Sequence, residues 1–182
     1  MTIPTGTYTL GPEHATLTVR TGKSGAAAKA GHNLLIEVTS WSATLQCAED
    51  PAASALELTA DSGSLEVRDG SGGLQALGAD DKVSIKKSID DEILKRGSIA
   101  FRSERIEPSA DGGSLQVHGE LDLLGARRPI TFALKATDDG HLTASATITQ
   151  SDFGIKPYST LFGALKVVDD VQVELDGRLP TR

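Results

Sequence analysis

From Leu115 the chain reads LQVHGELDL, with apolar and polar residues alternating. Successive side chains of a strand point to opposite faces. Leu115, Val117, Gly119, Leu121 and Leu123 therefore share a dry face, and Gln116, His118, Glu120 and Asp122 share a wet one. The alternation returns at residues 130–134, 142–149 and 171–176, with turn-forming residues at 108–113, 125–129 and 138–140 between. One-sided strands joined by short turns pair antiparallel. The first half is noisier. Tyr8 with Leu10 and Leu17 with Val19 predict short strands, residues 34–45 a longer one, residues 56–67 one broken near 61–63, and residues 99–106 another. Eight or nine such strands must either stack as two sheets or close on themselves, and closure removes the edges that invite aggregation.

Two segments depart from period two. In residues 80–95, Ile85, Ile89 and Ile93 recur at intervals of four, which predicts a helix with Asp80 or Asp81 as cap and Gly97 as stop. Residues 159–165 (STLFGAL) predict a second short helix capped by Ser159, weakened by Gly163. No linker, fixed-period repeat or low-complexity tract divides the 182 residues, so one domain over 1–182 is expected.

Composition excludes several classes. With 18 Lys and Arg against 25 Asp and Glu, the net charge is −7 and no basic block appears. A phosphate backbone is held by clustered cations, so nucleic acid is not an expected partner, and an anionic membrane surface is disfavoured for the same reason. No run nears the ~20 apolar residues of a spanning helix, so no stable membrane insertion is expected. The single Cys47 excludes an internal disulfide. The first residues, MTIPTGTYTLGPEH, lack a basic start and an apolar core, which points to a cytoplasmic protein.

Chemistry is sparse. His14, His32, His118 and His141 fall at no metal spacing, and no metal or cofactor is expected. The acidic doublets 80–81, 90–91, 138–139 and 169–170 sit in turns or at a helix start, where carboxylates cap backbone N–H groups rather than converge. Residues 22–25 (GKSG) resemble the end of a phosphate-binding loop, but Leu17 stands where its first Gly belongs. No nucleophile elbow is present. An enzyme using His14 or His32 on an apolar substrate is the weakest reading. What remains is an apolar-lined shell. A barrel of about eight strands can fill its interior or leave room for one ligand. With only seven aromatics in the chain, slim inward side chains favour a void, whereas the helix over 80–95 offers a plug. These two alternatives stay open from composition alone.

The stretch GELDLLGARRPITFAL, residues 119–134, resembles the most recognisable segment of the YceI-like proteins, the polyisoprenoid-binding family. The apolar helix with an acidic patch that leads to Ile99-Ala100-Phe101-Arg102-Ser103 is similar to the family's helix followed by a Phe-x-Ser strand. The opening from Tyr8 to Val19 with His14 is similar to its first strand pair. The resemblance runs from about Gly6 to Leu179. It departs at Gly11, Ala15, Val19 and Thr21, over residues 23–31, and in the third strand, where Trp41 stands in a segment that is Phe-rich in the family. The resemblance implies an all-β, antiparallel, eight-stranded lipocalin-like barrel with one or two short helices. It implies a non-catalytic carrier for a long isoprenoid chain, such as an isoprenoid quinone, and leaves a homodimer open. The expected lining is Trp41, Phe101, Leu121, Leu123, Phe132 and Ile148 from dry strand faces, with Phe153 and Phe162 near the open end. The alternative is a filled-core barrel serving as a protein-interaction or stress-response module.

Overall fold

A computed structural model describes residues 3–110 and 112–180 of the chain. Its strands are β1 (Gly6–Leu10), β2 (Ala15–Arg20), β3 (Lys23–Ser24), β4 (Asn33–Val38), β5 (Trp41–Cys47), β6 (Ala55–Asp61), β7 (Leu65–Ser71), β8 (Ser98–Pro108), β9 (Leu115–Leu123), β10 (Ala126–Ala136), β11 (His141–Thr149), β12 (Ser159–Thr160), β13 (Leu165–Val167) and β14 (Asp170–Arg178). Eleven of them form one curled antiparallel sheet of barrel type, in the order β1-β5-β6-β8-β9-β10-β11-β14-β2-β4-β7. The remaining three make a small sheet, β12-β13-β3.

The count is eleven rather than the expected eight because the first half of the chain turns three corners, two of them where the sequence already separates strands and one, at Thr39 and Ser40, within the stretch 34–45 expected to be unbroken. Residues 11–14 separate β1 from β2, Thr39 and Ser40 separate β4 from β5, and a turn at Ser62–Ser64 separates β6 from β7. Pairing carries across the second and third corners together. Thr39 N–H donates to the Ser64 carbonyl at 3.0 Å, and Asp61 N–H donates to the Ser40 carbonyl at 2.9 Å. The first members of the three pairs stand at or near one end of the sheet order and the second members at the other, or the reverse. The two ends are thus joined through the chain, and the curl follows.

The long strands behave as the alternation requires. In β9, Val117, Gly119, Leu121 and Leu123 are buried, while the residues between them are only half-buried. The turn from β9 to β10 is shorter than the expected 125–129. Only Leu124 and Gly125 connect the strands, both at positive φ (58° and 83°), the pairing that a tight right-twisted hairpin demands. Gly119 has a packing reason to lack a side chain. A Cβ there would sit 2.3 Å from the Arg102 carbonyl oxygen and 2.6 Å from the Phe101 ring.

The first helix is present. α1 (Ala79–Ser88) continues into a π-helical turn (Ile89–Ile93), in which Leu94 N–H donates to the Ile89 carbonyl at 2.8 Å. Asp81 closes its N-terminus by accepting from Gly78 N–H at 2.9 Å, so Gly78 is the capping position and Asp81 the capping side chain. A repeat of four drifts about 40° per step around an α-helix. The wider π turn offsets that drift and keeps Ile85, Ile89 and Ile93 on one side. The second expected helix is absent. Over residues 159–165 the chain forms β12, a 3-10 turn at Leu161–Gly163, and β13. Leu161, Phe162 and Gly163 all take positive φ (51°, 55° and 88°), a left-handed run incompatible with a right-handed helix.

Candidate functional site: an apolar cavity inside the curled sheet

The dry faces of the strands do not meet in the middle. They enclose a cavity of about 810 Å³. Its wall comes from both halves of the chain: Leu17, Ile36 and Leu45 from the first, Leu121, Leu134 and Leu175 from the second. Several wall positions are only alanine, including Ala43, Ala60, Ala144 and Ala146. These small residues leave the bore unfilled. α1 does not plug it. Ile85, Ile89 and Ile93 line the cavity from one side, as a roof, while Val83 on the helix is exposed.

Five expected lining residues come together at the wall: Phe101, Leu121, Leu123, Phe132 and Ile148. Phe101 and Phe132 lie against each other across β9, their ring centroids 5.3 Å apart and their planes tilted by 59°. Gly119 between them makes this close approach feasible. The other three stand elsewhere. Trp41 is buried on the same side of β5 as Ala43 and Leu45, but in packed core off the cavity wall. Phe153 is buried in the 3-10 turn after β11, also off the wall. Phe162 is fully exposed at the tip of the β12–β13 hairpin, because the left-handed backbone there carries it away from the core. Reading this segment as a helix misplaced it.

The mouth is identified by residues that line the cavity and are also exposed. Leu74 is 78% exposed and Tyr158 is 40% exposed, and both border the void. Around them lie the loop 72–78, the start of α1, and the small sheet with Lys23 on β3 and Lys166 on β13. Two polar links tie these pieces together. The Lys23 ammonium donates to the Gly31 carbonyl at 2.6 Å and also to the Gly72 carbonyl. The His32 ring is bonded through Nε2 to the Gln75 carbonyl at 2.7 Å. The charged side chains bordering the cavity, Lys23, Asp81 and Lys166, all belong to this rim. Gln150, which also borders the cavity, is buried, and its amide donates to the Val168 and Asp169 carbonyls at 3.1 and 3.2 Å.

Among the described residues the cavity wall itself carries one histidine, His32, at the rim. His14 lies by a separate surface hollow with His141 and Asp176, each ring against one carboxylate: Glu13 at 3.0 Å and Asp176 at 3.0 Å. Among the described residues no cluster of three His, Cys, Asp or Glu could hold a metal ion. Burial pushes the Cys47 thiol up, away from thiolate chemistry. The lining residues that sequence reasoning missed, such as Leu10, Leu17, Ile36 and Tyr158, lie mainly in the first half. There β4 reads Leu34-Leu35-Ile36, because its register against β7 shifts between Leu35 and Ile36 and the alternation breaks.

A curled antiparallel sheet around an apolar void, with charge confined to the rim, is the architecture of a small-ligand-binding barrel. A family model described as the YceI-like domain matches residues 8–179, and the chain belongs to that family. Among solved structures, Burkholderia cenocepacia BcnA superposes with a TM-score of 0.64 at 16% identity, over 92% of this chain and 96% of that one. The Campylobacter jejuni YceI protein gives 0.53 at 16% identity, over 81% and 85%. A mutant of it with a monobromobimane guest gives 0.57 at 14% identity, over the same shares. No curated protein matches the chain. At these identities the structural likeness is one of fold. Among the described residues no helix is long and apolar enough to cross a membrane.

Proposed function

We propose that the protein is a non-catalytic carrier that holds a long apolar isoprenoid chain, such as the tail of an isoprenoid quinone, in the cavity. The observation that carries this reading is the void itself: about 810 Å³ with an almost wholly apolar wall. That volume lies within the ~300–1,000 Å³ common for ligand sites. Each CH₂ moved from water into such a wall contributes about 0.8 kcal/mol, so an unbranched or prenyl chain can bind tightly without a charged anchor. Phe101, Leu121, Leu123, Phe132 and Ile148 are the proposed contacts from the expected set, with Leu17, Ile36, Ile85 and Ile89 added from the structure. The polar rim would face the head group, leaving the tail inside. The same void speaks against a filled-core barrel that acts only through its outer surface.

The test is extraction. Lipids pulled from protein purified without detergent are analysed by mass spectrometry, and ligand-free protein is offered a labelled isoprenoid quinone. A co-purifying prenyl lipid, or saturable uptake, supports the carrier. Protein that emerges empty and takes up nothing overturns it.

A further inference from the structure

We infer that the mouth of the cavity docks on an anionic lipid bilayer through the Leu161–Phe162 tip and a collar of lysines that have no carboxylate partner among the described residues. This deepens the carrier reading, because it says where the ligand is exchanged. The inference starts from charge. The chain as a whole carries −7, yet residues 21–36 and 154–168, which contain the small sheet at the mouth, hold four lysines and no acid. These are Lys23, Lys29, Lys156 and Lys166. None forms an ion pair among the described residues, whereas Arg20 just outside is matched by Glu174 at 2.7 Å. Lys29, Lys156 and Lys166 are exposed. The loop 72–78 on the opposite side of the mouth has no charge at all. Beyond it, Asp80 and Asp81 open α1, where Asp81 accepts from Gly78 N–H and Lys82 follows, while Lys86 and Lys87 are matched by Asp90 and Asp91. A protein that is acidic overall thus gathers four lysines on two acid-free segments where its cavity opens, with Glu37, Asp152 and Asp169 only at their borders in the chain and Asp69 shortly ahead of the loop, and net charge alone hides this.

The second observation is apolar exposure at the same end. Phe162 is fully exposed and Leu161 is 54% exposed, at the tip of a hairpin whose base residues Leu165 and Val167 line the cavity. Leu74 and Tyr158 continue the apolar surface to the opening itself. A bulky apolar tip held out by a left-handed backbone, ringed by cations, matches the two layers of an anionic bilayer surface. The ring enters the acyl boundary and the ammonium groups meet the phosphates. A protein partner would answer the apolar tip, but it would need a matching acidic rim. The bilayer supplies both features without further assumption.

The test is flotation of the full chain with vesicles of phosphatidylcholine, alone or mixed in equal parts with phosphatidylglycerol. Binding is expected on the mixed vesicles and to weaken as salt rises. Leu161→Ser with Phe162→Ser should weaken it roughly ten-fold or more, since two exposed side chains lose their apolar burial. Lys29→Glu with Lys156→Glu should weaken it by about five-fold per lysine on mixed vesicles only. None of these four residues lines the cavity, so uptake of labelled isoprenoid quinone in solution should persist in both variants. Absence of binding to mixed vesicles, or binding indifferent to both pairs of substitutions, overturns the docking surface while retained uptake leaves the carrier standing. Vesicle binding without any uptake supports docking and overturns the carrier instead. A concentration-dependent dimer that the Ser variant abolishes, with no vesicle binding, would assign the tip to a second copy and overturn the inference.

Discussion

Trp41 buries its indole N–H without a hydrogen-bond partner among the described residues. Its ring fills volume, but its donor costs stability, because a buried unpaired polar group forfeits its water. Trp41→Phe should therefore cost much less than Trp41→Ala. Under ~2 kcal/mol is expected for the first and about 3–5 kcal/mol for the second, read from urea melts. Equal losses would mean that the N–H is satisfied in solution. Phe162 poses the opposite case. A bulky residue at φ 55° is held in a conformation that costs it ~1–2 kcal/mol and glycine almost nothing. Phe162→Gly should leave stability unchanged or raise it by up to about 1 kcal/mol, since the looser unfolded chain takes back part of the gain. A fall of more than about 1 kcal/mol would show that the ring packs against something. Both residues were expected on the cavity wall. Residue type made them good candidates, but a wall position depends on which side of a corner or turn the residue falls.

At the scale of elements, β9 was readable because its alternation is unbroken and both of its neighbours pair with it along its length. Gly119 sits in that pattern as an apparent gap on the dry face, and the structure fills the gap with the Phe101 ring. Gly119→Ala should cost about 1–3 kcal/mol by overpacking, and should alter the near-ultraviolet signal of the Phe101–Phe132 pair. An unchanged melt would mean that the ring swings away freely. The helix over 80–95 was equally legible from its isoleucines, and its length matched closely. Whether it plugged or roofed the cavity was not legible, because the same apolar stripe satisfies either arrangement. The hairpin β12–β13 was illegible for a different reason. Its strands are two and three residues long, too short for periodicity, and its turn rests on left-handed residues other than glycine.

For the whole molecule, the void and the acidic surface each make a prediction. Ala144 lines the cavity, so Ala144→Phe should occupy part of it. Stability should hold or rise by up to ~1–2 kcal/mol while quinone uptake falls sharply, measured by melting and by titration of the labelled ligand. Full uptake by that variant would place the ligand elsewhere. The acid limb follows from three carboxyls held below their usual range: exposed Asp91 by the hydrogen bond from Lys87, half-buried Asp122 by that from Ser98, and exposed Asp139 by that from Thr137. A depressed carboxyl contributes stability above its unfolded pKa and loses it as pH falls through the folded value. The melting temperature should therefore be flat near neutrality and drop below about pH 4. A rise on acidification would contradict this sign.

The chain's own order of residues determined that it would be an antiparallel β protein with an amphipathic helix over 80–95, because side-chain alternation and the four-residue isoleucine spacing are local properties. It also carried enough of the YceI-like pattern for the family to be read from the order and spacing of its motifs between Gly6 and Leu179. The tertiary structure alone decided that the stretch 34–45 bends at a corner, that the interior stays open, and that the lysines of two distant segments meet at its mouth. Those outcomes depend on how far apart packed faces stand and on which segments curl together, and both are sums over contacts between residues remote in sequence.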